Sequence, residues 1–273
     1  MNSKRVCVIG AGPSEQVSAR ELRKEGHSIV VLEQKHDVGE QWLCKQNVES
    51  EEAMANLTNP SKVHSSVYES LRLTSPREIM GFTDFPFVAR KGRDVRRFPG
   101  HRELLLYLQD FCTWFEKKKM IRFNTWVGNV GTEDADHADH HYSMRWVVRA
   151  KELGTGFLTE EIFDVFVVAN GHYSASRLSI INGMKFVFLG RYSYSLPFLD
   201  TKGVSIDDDR VGPLYEHTFP PSIAPSLSFV GIPRKIIGFP FFESQAKWIS
   251  KVLSGKITLP PREEMMKSIK EYW

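Results

Sequence analysis

The chain has 273 residues, of which 41% are hydrophobic and 25% are charged, and its formal net charge is +3. This length suffices for one large domain or two small ones, and the composition is ordinary for a soluble globular protein. The small charge gives no indication of nucleic acid or an anionic membrane as a partner, and no apolar run approaches membrane-spanning length. The widely spaced Cys7, Cys44 and Cys112 favour a reducing compartment, so we expect a cytoplasmic protein without a signal peptide, a disulfide framework or a zinc site.

The first forty residues predict a β-α-β unit. Val6 to Ile9 form a short apolar run that stops at Gly10, which is typical of a strand buried on both faces of a parallel sheet. After the Gly-Ala-Gly turn, apolar residues repeat at helical spacing until Gly26 closes the helix. A second buried strand then runs from Ser28 to Leu32 and is followed by Glu33.

This arrangement is typical of dinucleotide binding, because an acidic residue follows the glycine turn at a distance of about twenty residues. Gly10 permits the turn, and Gly12 lets the backbone approach a pyrophosphate, which sits on amide groups at the helix N-terminus. Glu33 is placed to accept hydrogen bonds from ribose hydroxyls. An ordinary β-α-β crossover with a glycine turn is the alternative. The candidate binding residues of the turn are Gly10, Ala11, Gly12, Pro13, Ser14 and Glu15.

One of these candidates departs from the pattern, since Glu15 stands where a third glycine is expected. That glycine normally lets the helix pack close to the sheet. A carboxylate in the first turn suits the helix dipole by itself, but it competes with an anionic ligand. The residues therefore predict an intact fold and a weakened anion site.

The middle of the chain is less regular. Residues 49–59 indicate a surface loop, and Ser65 to Arg72 carry apolar residues at helix-like spacing. Pro76 to Pro99 form a long irregular region that contains three phenylalanines. Such a region usually lines or caps a site, or it is a lid packed by its own aromatic residues, which are Phe82, Phe85 and Phe87.

An amphipathic helix is predicted from His101 to Lys118. The histidines and aspartates of the loop 133–141 supply enough ligands for a metal ion, but we interpret this loop as a solvated turn and predict no metal site. Gly154 to Gly156 repeat the glycine pattern without a preceding buried strand, so a hairpin turn is expected there. The other predicted elements are strands at Ile121–Asn124, Trp126–Val130, Ser143–Ala150, Phe163–Ala169 and Leu227–Val230, irregular segments at Tyr192–Pro197 and Asp207–Arg210, a helix at Phe239–Leu253, and a surface tail at Ser268–Trp273.

Several longer segments resemble the flavin-containing monooxygenases, in particular the plant branch that oxygenates the sulfur of methylthioalkyl glucosinolates. The resemblance covers nearly the whole chain. The segments that carry it are VGEQW at 38–42, KVHSSVYESL at 62–71, PREIMGFTDFPF at 76–87, RRFPGHRELLLYLQDF at 96–111, VVANGHYS at 167–174, DDDRVGPLYEHTFPPSIAPSLSFVGIP at 207–233 and FFESQAKWISKVLSGKITLP at 241–260.

The resemblance implies an α/β fold, with a Rossmann-like FAD-binding domain that has a parallel sheet, a β-hairpin layer and a C-terminal helix. It implies FAD and NADPH as cofactors, and the transfer of one oxygen atom from a flavin C4a-hydroperoxide to a small-molecule thioether substrate. Gly39 and Trp42 match a second glycine motif beside the flavin, and Gln245 matches a segment that approaches the flavin. The oligomeric state stays open.

The chain also departs from this family. Glu40 replaces the second glycine of the V-G-G-x-W pattern, and Thr74 stands where the family typically has an asparagine near flavin C4a, which leaves the catalytic residue unknown. The NADPH-binding insertion is expected to be absent, so that residues 1–183 and 186–273 form two parts of one FAD-binding domain. We expect its loss to uncover Phe82 to Phe87. Two hypotheses follow: an S-oxygenating enzyme, or an inactive remnant that binds at most FAD or a protein partner.

Overall fold

A computed structural model describes residues 3–43, 67–115, 117–132, 144–171, 175–177, 191–207 and 210–272. The loops expected at 49–59 and 133–141, including the histidine-rich turn, lie outside these ranges. In chain order the elements are β1 (Arg5–Ile9), α1 (Pro13–Lys24), β2 (Ser28–Leu32), α2 (His101–Trp114), β3 (Ile121–Arg122), β4 (Thr125–Thr132), β5 (Trp146–Glu152), β6 (Leu158–Phe163), β7 (Val165–Val168), β8 (Ala175–Arg177), β9 (Arg191–Ser193), β10 (Ser205–Asp207), β11 (Arg210–Gly212), β12 (Leu227–Phe229), α3 (Gly238–Leu253) and α4 (Arg262–Tyr272).

The centre of the molecule is a five-stranded parallel sheet with the order β12-β7-β1-β2-β3. Its register places Val8 of β1 opposite Val31 of β2 on one side and opposite Val167 of β7 on the other. Because all five strands run in the same direction, their carboxyl ends meet at one edge of the sheet. The strand order reverses at β1, because β2 and β3 are added on one side of it and β7 and β12 on the other. A crevice at such a switch point is where open α/β sheets bind ligands.

Each face of this sheet is covered. The helices α1 and α3 pack on one face, where Leu22 and Ile249 join a core that includes Val8 and Val167. The antiparallel sheet β4-β5-β6 covers the other face, where the ring of Trp146 lies 5.9 Å from that of Phe166. The predicted α/β class, with a parallel sheet, a hairpin layer and a C-terminal helix, is confirmed.

Four sequence predictions need correction. Residues 67–72 contain no helix, because the backbone there pairs with the segment before α2 through a bridge between Arg72 and Gly100. The helix α2 ends at Trp114, and a short 3-10 turn at Lys117–Met120 leads into β3. The segments expected to be irregular contribute the paired strands β9, β10 and β11. The expected tail belongs to α4, since Met265 and Ile269 lie one turn apart and are buried.

The expectation of exposed aromatic residues in the irregular region is also wrong. Phe82, Phe85 and Phe87 are 1%, 9% and 5% exposed. They pack on Tyr107 of α2, whose hydroxyl accepts a hydrogen bond from the Phe82 amide at 2.9 Å and donates one to the Phe85 carbonyl at 2.6 Å. Phe111 of α2 contacts the same cluster. The region is therefore held on α2 by its own aromatic residues, which was the alternative interpretation.

Two general features of the described ranges bear on function. No helix within them is long and apolar enough to cross a membrane. No group of three or more His, Cys, Asp or Glu side chains in these ranges is arranged to hold a metal ion.

Candidate nucleotide-binding site

The glycine turn lies where β1 ends and α1 begins, at the carboxyl edge of the parallel sheet. The Gly10 amide donates a hydrogen bond to the carbonyl of Leu32 at 2.8 Å, which joins the turn to the end of β2. Gly10 has φ +95°, a backbone conformation that only glycine adopts readily. The Gly39 amide donates to the Ala11 carbonyl at 3.0 Å and so brings the second glycine segment onto the turn.

Glu33 lies directly beside this turn, at the end of β2. Its carboxylate accepts hydrogen bonds from the amides of Ala11 and Lys35, both at 2.7 Å. Burial raises the pKa of Glu33, and the two amide hydrogen bonds oppose that shift. The carboxylate is thus fixed against the turn, in the place where the sequence predicts a ribose contact.

Glu15, in the first turn of α1, is fully buried and folds back over the glycines. One of its carboxylate oxygens, Oε1, occupies the space that a Cβ on Gly10 would take, and this oxygen has no hydrogen-bond partner. The other, Oε2, accepts a hydrogen bond from the Ser14 hydroxyl at 2.9 Å. Burial raises the pKa of Glu15 well above its usual range, and repulsion from Glu40 adds to this shift.

Glu40 approaches the same turn from the other side. Gly39, with φ +113°, begins the short 3-10 helix Glu40–Trp42 and directs Glu40 inward. The Glu40 carboxylate lies 2.7 Å from the Cβ position of Gly12 and 3.0 Å from that of Gly171, which follows β7. Burial raises the pKa of Glu40 to about 8, with repulsion from Glu33 in the same direction and attraction to Lys35 opposing both.

Gly12 is the point at which the backbone is expected to approach a pyrophosphate. Instead, Oε2 of Glu40 lies 2.7 Å and Oε2 of Glu15 lies 2.9 Å from the Cβ position of Gly12. Phosphate oxygens placed on this turn would meet both carboxylates. The backbone therefore has the shape of a pyrophosphate cradle, but as arranged the residues in it do not fit a pyrophosphate.

A cleft of about 210 Å³ opens beside this cradle. It is smaller than the roughly 300–1,000 Å³ that is usual for ligand pockets. Ser14, Glu40 and Ser75 line it with polar groups, and Thr74 is an exposed neighbour of Ser75 that does not line it. Its apolar walls come from Trp42, Met80, Val230, Ile237, Phe239 and Phe242.

Gln245 of α3 lies behind the cleft and does not line it. Its side-chain oxygen accepts a hydrogen bond from the Gly231 amide at 2.9 Å, and its side-chain nitrogen donates to the Thr218 hydroxyl at 2.8 Å. Gly231 does line the cleft. Gln245 therefore positions the loop that follows β12.

The structure brings together most of the candidate residues at the carboxyl edge of the sheet, namely Gly10 to Glu15, Glu33, Gly39 and Trp42. Thr74 and Gln245 lie next to this site but do not line its cleft. Sequence analysis did not single out Lys35, whose ammonium donates a hydrogen bond to the Glu40 carbonyl at 2.6 Å. It also missed the contact of Glu40 with Gly171. Lys35 lies in the bend that follows β2, beyond the strand's alternation, so no local pattern pointed to it.

The comparison with known proteins identifies the class. The flavin-binding monooxygenase-like family model matches residues 3–186 and 178–272. The chain therefore belongs to this family of flavin-dependent oxidoreductases.

Individual relatives are similar over nearly the whole chain. Flavin-containing monooxygenase FMO GS-OX-like 9 from Arabidopsis thaliana is 44% identical, over 99% of this chain and 80% of the relative. FMO GS-OX-like 8 from the same plant is 46% identical, over 99% of this chain and 79% of the relative. The solved structure of S-allyl-L-cysteine S-oxygenase from Allium sativum is 32% identical with a TM-score of 0.86, and covers 99% of this chain and 81% of that protein.

The alignment with FMO GS-OX-like 9 extends over 372 positions, more than the 273 residues of this chain. The relative therefore has, inside the matched span, residues without a counterpart here. The two segments matched by the family model meet at residues 178–186.

Proposed function

We propose that this chain is an FAD-dependent monooxygenase that adds one oxygen atom to the sulfur of a small thioether, of the methylthioalkyl glucosinolate type. The names of its relatives, GS-OX-like monooxygenases and an S-allyl-L-cysteine S-oxygenase, support sulfur oxygenation. One observation supports FAD binding above the others: the Glu33 carboxylate accepts a hydrogen bond from the Ala11 amide. This contact joins the glycine turn to the residue that we propose holds the ribose.

The proposed cofactor contacts follow from the position of each residue at the carboxyl edge of the sheet. Gly10 and Gly12 would lie under the pyrophosphate, and Glu33 would hold the ribose. Gly39 and Trp42 would flank the flavin. Gln245 would support the flavin side of the cleft through Gly231.

We further propose that residues 1–183 and 186–273 are two parts of one FAD-binding domain, from which the NADPH-binding insertion of the family is absent. Two features support this division. First, the alignment with FMO GS-OX-like 9 is longer than this chain, and the additional residues of that relative lie inside the matched span. Second, β12 from the second part of the chain pairs in parallel with β7 from the first part. Reduction of the flavin would then require a free reductant or a partner chain.

A second candidate function is an inactive remnant that holds FAD weakly or binds a protein partner. The specific observation in its favour is the pair of carboxylates at Gly12, because a buried carboxylate opposes a dianionic pyrophosphate. The two candidates differ in whether bound flavin leads to oxidation of a thioether.

The first experiment is a visible absorption spectrum of the purified protein after incubation with FAD and desalting, beside the double variant Glu15→Gly/Glu40→Gly. We expect partial flavin retention by the native protein and fuller retention by the variant. A methylthioalkyl thioether is then supplied with NADPH or, separately, a chemical reductant and oxygen, and its sulfoxide is quantified by mass spectrometry.

The outcomes separate the candidates. Retained flavin with sulfoxide formation supports the monooxygenase. Retained flavin without sulfoxide supports the remnant. If neither protein retains flavin, the FAD site itself is refuted.

A further inference from the structure

The pyrophosphate cradle contains anionic groups of its own. Gly12 caps α1 without a side-chain hydrogen bond, so the first amides of the helix face the cradle. Such a helix N-terminus attracts negative charge. Here the nearest acidic groups are Glu15 in the first turn and Glu40 from the facing segment, and each has an oxygen within 3 Å of the Gly12 Cβ position. Both carboxylates thus lie where phosphate oxygens would be placed.

The surroundings offset the charge of these carboxylates only in part. From β2, Glu33 contributes further negative charge, and Lys35 contributes a positive charge that acts on Glu40. From the end of β7 the nearest group is Gly171, which has no side chain. From the start of α3 the cleft wall is formed by Ile237 and Phe239, which are apolar.

We propose that the carboxylates of Glu15 and Glu40 act as internal competitors for the pyrophosphate cradle, so that the protein binds FAD only together with the protons that neutralise them. This inference rests on the proposed FAD site. It follows from the geometry because a pyrophosphate must displace both side chains from the Gly12 surface, and ionised carboxylates that stay beside it repel its negative charge. Protonation removes the repulsion and gives each carboxyl group a donor for a phosphate oxygen.

The pH at which this competition acts falls in an accessible range. The pKa of Glu40 is raised to about 8, mainly by burial, and that of Glu15 is raised in the same direction. Above about pH 8 Glu40 is anionic, and each of the two groups opposes FAD once it is ionised. As the pH falls they become neutral, so the affinity for FAD rises. Each proton taken up changes the dissociation constant by up to about tenfold per pH unit.

The test is the dissociation constant of FAD between about pH 9 and pH 6, measured by fluorescence of the free flavin after ultrafiltration. Four proteins are compared: the native chain, Glu15→Gln/Glu40→Gln, Glu15→Gly/Glu40→Gly, and Glu160→Gln as a control. Glutamine keeps the size of the side chain and removes its charge. Glu160 is an exposed glutamate of β6, paired with Arg149 on the hairpin sheet. Calorimetry in buffers of different ionisation enthalpy counts the protons taken up.

We expect the affinity of the native protein and of Glu160→Gln for FAD to increase at least tenfold as the pH falls across this range, with net proton uptake. The double glutamine variant is expected to bind FAD tightly and almost independently of pH. If the native protein and the double variant bind equally well at every pH, the competition is refuted and the FAD site stands. If the double variant and Glu15→Gly/Glu40→Gly bind no FAD at any pH, both the competition and the proposed FAD site are overturned.

Discussion

The guanidinium of Arg20 in α1 donates a hydrogen bond to the carboxylate of Glu243 in α3 at 2.8 Å, and both side chains are buried. The same carboxylate accepts hydrogen bonds from the amide and the hydroxyl of Thr83, both at 2.9 Å. Burial by itself would raise the pKa of Glu243, but hydrogen bonds from Lys247, Thr83 and Arg20 lower it to about 2. This cluster joins the beginning of the chain, the irregular region and the last long helix into one folded unit.

Removal of Arg20 should therefore be strongly destabilising. We expect Arg20→Met to lower the free energy of unfolding by about 3–5 kcal/mol, because it removes the buried cation that pairs with the carboxylates of Glu243, Glu21 and Asp84. Urea denaturation measures this change. The control is Arg149→Met, which breaks the ion pair with Glu160 at 2.6 Å, where both side chains are more than half exposed. Its expected cost is below about 1 kcal/mol, and equal costs at the two sites would contradict the assigned role of Arg20.

The stability of the protein without flavin should depend on Glu15 and Glu40. A carboxyl group whose pKa is raised in the folded state stabilises the fold below its unfolded pKa, and this contribution is lost as the pH rises towards the folded pKa. For Glu40 the interval runs from 4.5 to about 8. We expect Glu15→Gln/Glu40→Gln to gain more than about 1 kcal/mol relative to the native protein across this interval. Denaturation at a series of pH values measures the difference in free energy of unfolding between the variant and the native protein. If this difference is the same at every pH, the burial of the two carboxyl groups is refuted.

The backbone of Gly39 should not tolerate a side chain. Its φ is +113°, and a Cβ there would lie 2.5 Å from Cδ1 of Leu105. We expect Gly39→Ala to cost about 1–3 kcal/mol and to change the fluorescence of Trp42, whose amide donates to the Gly39 carbonyl at 2.8 Å. Gly154→Ala is the control, because Gly154 lies in a hairpin turn with no atom within 4 Å of its Cβ position. Unchanged stability and fluorescence in Gly39→Ala would contradict this description of the turn.

Gln245 should hold the loop after β12. Gln245→Leu leaves the Gly231 amide without its acceptor, so we expect a loss of about 1–3 kcal/mol together with faster hydrogen exchange at that amide. The neighbouring Ser244→Ala is the control, since the Ser244 hydroxyl is exposed and donates to the Pro240 carbonyl of its own helix. Exchange at Gly231 that is the same in both variants would show that another group positions the loop.

Much of the fold followed from local patterns. The bounds of β2 at Ser28 and Leu32 agree with the sequence prediction, and β1 is one residue longer than predicted. These strands are recognisable because nearly every residue in them is apolar and glycines interrupt the runs. The charged helix α4 escaped detection, since only Met265 and Ile269 mark its buried side within a polar sequence.

The sequence by itself determined the β-α-β unit, the glycine turn, Glu33 beside it and the unusual Glu15 and Glu40, because each depends on residues close together in the chain. Only the tertiary structure decided that the two carboxylates meet over Gly12 and that Phe82 is buried on α2. Those contacts join residues that are far apart in sequence. They depend on how the loops pack against the ends of several strands, which no local pattern specifies.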